Sequence, residues 1–182
     1  MRTFNPRRAA LAAVGGIVLS LFGGASQSAV LKTGYYTIDA MAMAPAGASF
    51  ETDYSIVWTD GIRNAAPDKT CFNTAVNLPN GATVTKVSVW YTAAAVAGSL
   101  NFGGLVRHAV ADGNTHYLAE ADLGPTANKR VAAALKLYPQ PALVPTTLKI
   151  DNARFSYAFA VCLVGQSKAA FHAARIIYTY LD

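Results

Sequence analysis

The chain has 182 residues and a formal charge of +5, from 15 Lys and Arg against 10 Asp and Glu. Apolar residues make up 53% and charged residues 14%, which excludes an intrinsically disordered polypeptide. The length suits one domain with a core of ordinary size.

The chain opens with Arg2, Arg7 and Arg8, then an apolar stretch from Ala9 to Phe22, then small and polar residues from Gly23 to Ala29. That order reads as a secretory signal peptide. The apolar run, about 14 residues with two glycines, falls short of the ~20 that a spanning helix needs. The expected division is a leader over residues 1–29 and one β-sandwich domain over residues 30–182. The leader takes three of the 15 basic residues and no acid, leaving 12 against 10, a formal +2. No Lys/Arg cluster remains, so nucleic acid is not an expected partner. No later segment reaches spanning length, and the expected product is secreted, to the periplasm or the outside. Two cysteines in an oxidising compartment predict one disulfide, Cys71–Cys162, joining the two sheets.

After the leader the apolar pattern has period two almost throughout. Leu31 to Ala44 reads as one strand. Tyr54, Ile56 and Trp58 share a face of the next, which ends at Asp60-Gly61, and residues 63–69 read as loop. Phe72, Thr74, Val76 and Leu78 alternate up to the Pro79-Asn80-Gly81 turn. Beyond it, Val87, Val89 and Tyr91 mark a buried face, and Lys86, Ser88 and Trp90 a wet one. A strand containing the Gly103-Gly104 pair leads to the Asp112-Gly113-Asn114 hairpin and a returning strand with Tyr117, Ala119 and Ala121 on one face. Residues 129–137 favour strand over helix, and residues 139–145 form a proline-spaced connector. Residues 151–165 carry Phe155, Tyr157, Phe159, Val161 and Leu163 on one side. They read as a central strand buried on both faces. A last strand closes the chain, with Phe171, Ala173, Arg175 and Ile177 opposing His172, Ile176, Tyr178 and Tyr180. The fold class is all-β: a two-sheet antiparallel sandwich, jelly-roll or immunoglobulin-like.

Three pieces, CFNTAVNLPNGATVTKVSVWYTAA, DNARFSYAFAVCL and FHAARIIYTY, together cover roughly Phe72 to Tyr180. In that order they resemble a group of exported bacterial single-domain proteins. In that group a Cys-containing strand runs into an LP-x-GA-x-(V/I)-T turn, followed by a DN-x-x-(F/Y)-x-Y strand. The resemblance implies a β-sandwich and export, and no activity.

Chemistry is sparse. His108 and His116 flank the 112–114 hairpin and face each other if the strands pair in simple register. Asp112 and Glu120 lie nearby, but no ligand spacing supports a metal. No G-x-S-x-G elbow is present. Candidate carboxylate pairs come only from Asp39, Glu51, Asp53, Asp60, Glu120 and Asp122. No enzyme, cofactor or metal is expected. Trp90 and Trp58 are the candidate ligand residues, as stacking platforms for a sugar ring. The expected partners are a cell-surface glycan or a second copy of the chain, the latter through Tyr178 and Tyr180. The expected function is a structural or binding module, with carbohydrate binding as the alternative reading.

Overall fold

The computed structural model describes residues 29–46, 54–57, 61–64, 69–93, 101–126, 129–138, 148–164 and 169–182. The expected leader over residues 1–29 lies outside them but for Ala29, as do Trp58 and the 139–145 connector. Among the described residues twelve strands follow in order: β1 (Leu31–Asp39), β2 (Ala44–Pro45), β3 (Tyr54–Val57), β4 (Gly61–Asn64), β5 (Thr70–Ala75), β6 (Thr83–Thr92), β7 (Asn101–Ala109), β8 (Thr115–Leu123), β9 (Val131–Ala134), β10 (Lys136–Leu137), β11 (Phe155–Leu163) and β12 (Ala170–Leu181). They form two six-stranded sheets. The first runs β3-β4-β12-β6-β9, with β1 also paired to β12, and the second runs β10-β8-β7-β11-β5-β2. Every pairing is antiparallel. Among the described residues no helix is long and apolar enough to cross a membrane.

Alternation puts one face of each sheet into the core. Phe155, Tyr157, Phe159, Val161 and Leu163 of β11 are buried, as are Val84, Val87, Val89 and Tyr91 of β6. The sheets meet where Phe159 stacks on Phe171 of β12, ring centroids 5.9 Å apart. The other side of β11, from Ser156 to Cys162, is exposed or half-buried. This central strand is therefore covered on one face only. Small Ala158 and Ala160, expected as a second core side, are the floor of an outer surface.

Where the strand pattern of the sequence misleads, the chain changes sheet or carries an extra residue. The single strand expected over 31–44 is three elements. Asp39 accepts a hydrogen bond from the Met41 N–H at 2.8 Å, capping a 3₁₀ turn over Ala40–Ala42 that carries the chain from one sheet to the other. Residues 61–64 are strand, not a loop edge, because β4 pairs with β3 and with the start of β12. The 129–137 segment is strand as expected. It is split at buried Leu135, with β9 in the first sheet and β10 in the second. In β8 the register slips beside Leu105, so Leu118 is an extra residue. Tyr117 then points out, whereas Leu118 and Ala119 are buried. A slip between Phe171 and Ala173 likewise sends Phe171 inward and Ala173, Arg175 and Ile177 outward.

Two sequence motifs turn out to touch. The Gly81 N–H donates to Ile150 C=O at 2.8 Å, and Gly81 has φ +79°. The Asn152 N–H donates to Asn80 Oδ1 at 2.9 Å, and Asn152 Nδ2 donates to Leu78 C=O at 3.0 Å. The LPNGA and DN segments are thus a clasp between two turns. The Tyr157 hydroxyl accepts from the Asp151 N–H at 2.8 Å and fixes the second turn to the core.

Candidate functional site

The outer face of the second sheet has a floor of small residues. Across it, Asn73, Ala160, Gly104, Glu120 and Lys136 lie in one row on five neighbouring strands. The next row holds Cys71, Cys162, Phe102 and Asp122. Gly104 has no side chain, and the Phe102 ring fills the room this leaves. A Cβ at Gly104 would lie 2.9 Å from Phe102 Cζ. The ring thus lies down along the strand instead of standing off it, and Tyr117 meets it edge-on at 5.3 Å.

Phe102, Glu120, Asp122, Lys136 and Tyr138, with Ala121 and Ala134, line a cleft of about 360 Å³ at the β8–β10 side of this face. The Tyr138 hydroxyl is hydrogen-bonded to the Glu120 carboxylate, which holds its proton and raises its pKa above the usual tyrosine value. The backbone N–H of Tyr138 is tied to Leu118 C=O at 2.9 Å, so the ring is fixed relative to β8. Lys136 stands opposite Glu120 in the ladder, and its ammonium lies 4.9 Å from the Tyr138 ring centroid. Asp122 is exposed beside them. One apolar ring, two carboxylates, a hydroxyl and an ammonium therefore converge on an open cleft. The set is suited to a ligand with a hydrophobic face and many hydroxyl groups.

The expected site residues fare unevenly. Cys71 and Cys162 are bonded, but within one sheet, on the adjacent strands β5 and β11, where they are direct partners with Cα atoms 3.9 Å apart. The expected bridge between sheets is corrected, because both side chains point away from the core. Trp90 is half-buried on the outer face of the first sheet, in line with Ser88 and exposed Lys86, as its alternation predicted. Its ring carries the Arg175 guanidinium at 5.5 Å. Trp58 lies outside the described residues, so the two tryptophans are not brought together here.

His108 and His116 do not face each other. His108 pairs with Thr115 and bonds its hydroxyl at 2.8 Å, while His116 pairs with Arg107. Those register positions alternate between the two faces of the sheet. Among the described residues no three His, Cys, Asp or Glu side chains gather to hold a metal ion. His172 is 2.7 Å from the Thr92 hydroxyl. Tyr178 and Tyr180, expected at a contact between copies, pack against the core instead, 5.8 Å apart. Sequence reading missed Phe102, Tyr117 and Tyr138. The signal for the first was the Phe-Gly-Gly run, and for Tyr117 nothing short of the bulge would have shown its side.

No family model matches the chain, and no curated protein is similar to it. Solved structures similar to it include three carbohydrate-binding modules. One is the "xylan-binding module CBM15", 12% identical over 80% of this chain and 97% of that one, with a TM-score of 0.49. A family 11 carbohydrate-binding module from a cellulosomal cellulase of Clostridium thermocellum is 14% identical over 94% and 97%, with a TM-score of 0.34. TmCBM61, solved with β-1,4-galactotriose, is 14% identical over 84% and 88%, with a TM-score of 0.31. At these values the likeness assigns neither ligand nor site to this chain.

Proposed function

We propose that this chain is an exported, non-catalytic binding module that holds a glycan in the cleft formed by Phe102, Glu120, Asp122, Lys136 and Tyr138. It belongs on this reading to the exported β-sandwich group that its motifs resemble. The observation that carries the proposal is the Phe102 ring reaching over Gly104 into the cleft, beside two carboxylates. A sugar ring offers a C–H face to an aromatic ring, and its edge hydroxyls donate to carboxylate oxygens. The Cys71–Cys162 disulfide supports export, since such bonds persist in oxidising compartments.

Titration calorimetry of the purified protein with neutral gluco-, xylo- and galacto-oligosaccharides tests it. Binding by at least one class, weakened tenfold or more by Phe102→Ala and by Asp122→Asn, is expected. No binding across the panel, or binding indifferent to both substitutions, overturns it. Release of reducing ends that stops in Glu120→Gln would make the cleft catalytic instead.

A further inference from the structure

The outer face of the first sheet carries a different chemistry from the cleft. Along β6, Lys86, Ser88 and Trp90 share that face. On β12, Arg175 stands opposite Ser88 and Ile177 opposite Lys86, and on β1, Tyr35 stands opposite Ile177. Arg175 is therefore the diagonal neighbour of both Lys86 and Trp90, at the ~7–8 Å such positions have. Lys86 and Arg175 are both exposed, and among the described residues neither is ion-paired with a carboxylate. The nearest acid on this face, Asp39, stands opposite Ala173 and is thus also a diagonal neighbour of Arg175, but its carboxylate accepts from the Met41 N–H instead of pairing with the guanidinium. Trp90 is flanked on its neighbouring strands by Ala173 and Ala132, which are too small to cover the indole. Tyr35, 64% exposed, lies at the opposite corner. Strand geometry puts it about 16 Å from Trp90, measured Cα to Cα.

We propose that this face is a second ligand surface, for a glycan bearing carboxylate groups, with Arg175 and Lys86 pairing the carboxylates and Trp90 and Tyr35 bounding the track. Two unpaired cations at diagonal spacing repel each other, and a carboxylate bridging them replaces that repulsion with charge-assisted hydrogen bonds. The guanidinium over Trp90 lets one group serve both the ring and the anion, because its planar faces stack while its edges donate. A nucleic acid fits less well. Two cations neutralise few phosphates, and its affinity is dominated by phosphate contacts. This surface is separate from the cleft, on the other sheet, and stands or falls independently of it.

The test compares polygalacturonate, neutral galactan and duplex DNA as probes of the purified protein, by tryptophan fluorescence and calorimetry at low and high salt. Polygalacturonate is expected to bind, and to bind more weakly as salt rises. Arg175→Gln with Lys86→Gln should weaken it about tenfold or more. Trp90→Ala should remove the fluorescence change, which neutral galactan should not produce. Circular dichroism of the double variant checks that it folds; its changed side chains are both on the surface. Three outcomes would overturn the proposal: no binding at low salt, binding unchanged in the double variant, or DNA bound as tightly as polygalacturonate.

Discussion

Cys71 and Cys162 face each other directly across neighbouring strands of one sheet, and the bond between them lies on the outer side of that sheet, next to Phe102 in the row. Strands β5 and β11 are hydrogen-bonded there already. The disulfide therefore adds little to the folded ladder and acts mainly on the unfolded chain, across a separation of 91 residues. Cys71→Ser with Cys162→Ser should leave the fold intact and lower its stability by about 2–4 kcal/mol, read from urea midpoints. An unchanged midpoint would show that the bridge constrains nothing.

Period-two alternation found the two sheets because it reports one-sided burial, and β6 is the clear case. Val87, Val89 and Tyr91 are buried, while Lys86, Ser88 and Trp90 point away. Alternation fails where the count of residues per step changes. At Leu118, and again between Phe171 and Ala173, one extra residue moves the rest of the strand to the other face, with no composition change to announce it. The disulfide partners were legible as a pair and not as neighbours, since cysteine count says nothing about which sheet each strand joins. The cleft was illegible for a related reason. Phe102, Glu120 and Lys136 come from three strands, and only the pairing of β7 with β8 and β8 with β10 brings them together. Trp90 was legible by the same alternation, which puts it on the outer face with Lys86 and Ser88.

Arg107 is the charged side chain that the core does not explain. It faces inward from β7, is 5% exposed, and its Nε and Nη2 have no hydrogen-bond partner. The guanidinium rests 4.4 Å from the Phe155 ring centroid, with the Arg154 guanidinium 5.3 Å from the same ring. Burial, before any other cause, pulls its pKa below the usual arginine value, Arg154 adding to this and Tyr157 opposing it. A buried cation without a counterion costs several kcal/mol, against ~2 for a desolvated cation–π contact. Arg107→Met should therefore raise stability by about 1–3 kcal/mol in urea unfolding. The gain should be the same at acidic and neutral pH. The folded state releases the Arg107 proton only near the top of the pH range, so stability would climb only there. A loss on substitution would mean that the guanidinium is better satisfied than its geometry implies.

Tyr157 gives the opposite sign. Its ring is buried between the sheets, and burial is the largest cause raising its pKa, with the Asp151 N–H bond and Arg107 pulling the other way. Tyr91, also buried, is raised for the same reason. A group whose folded pKa lies above its unfolded one supports the fold below the unfolded value, about 10, and loses that support as pH rises towards the folded value. Stability should be level through neutral pH and fall above about 10, in step with the appearance of tyrosinate absorbance. Tyr157→Phe should flatten part of this fall, leaving the share due to Tyr91. At neutral pH it should cost about 1 kcal/mol, because the Asp151 N–H then loses its acceptor and the clasp between the two turns loosens. If the variant keeps the full alkaline slope, Tyr157 does not titrate with unfolding, and its hydroxyl is held by something other than the core.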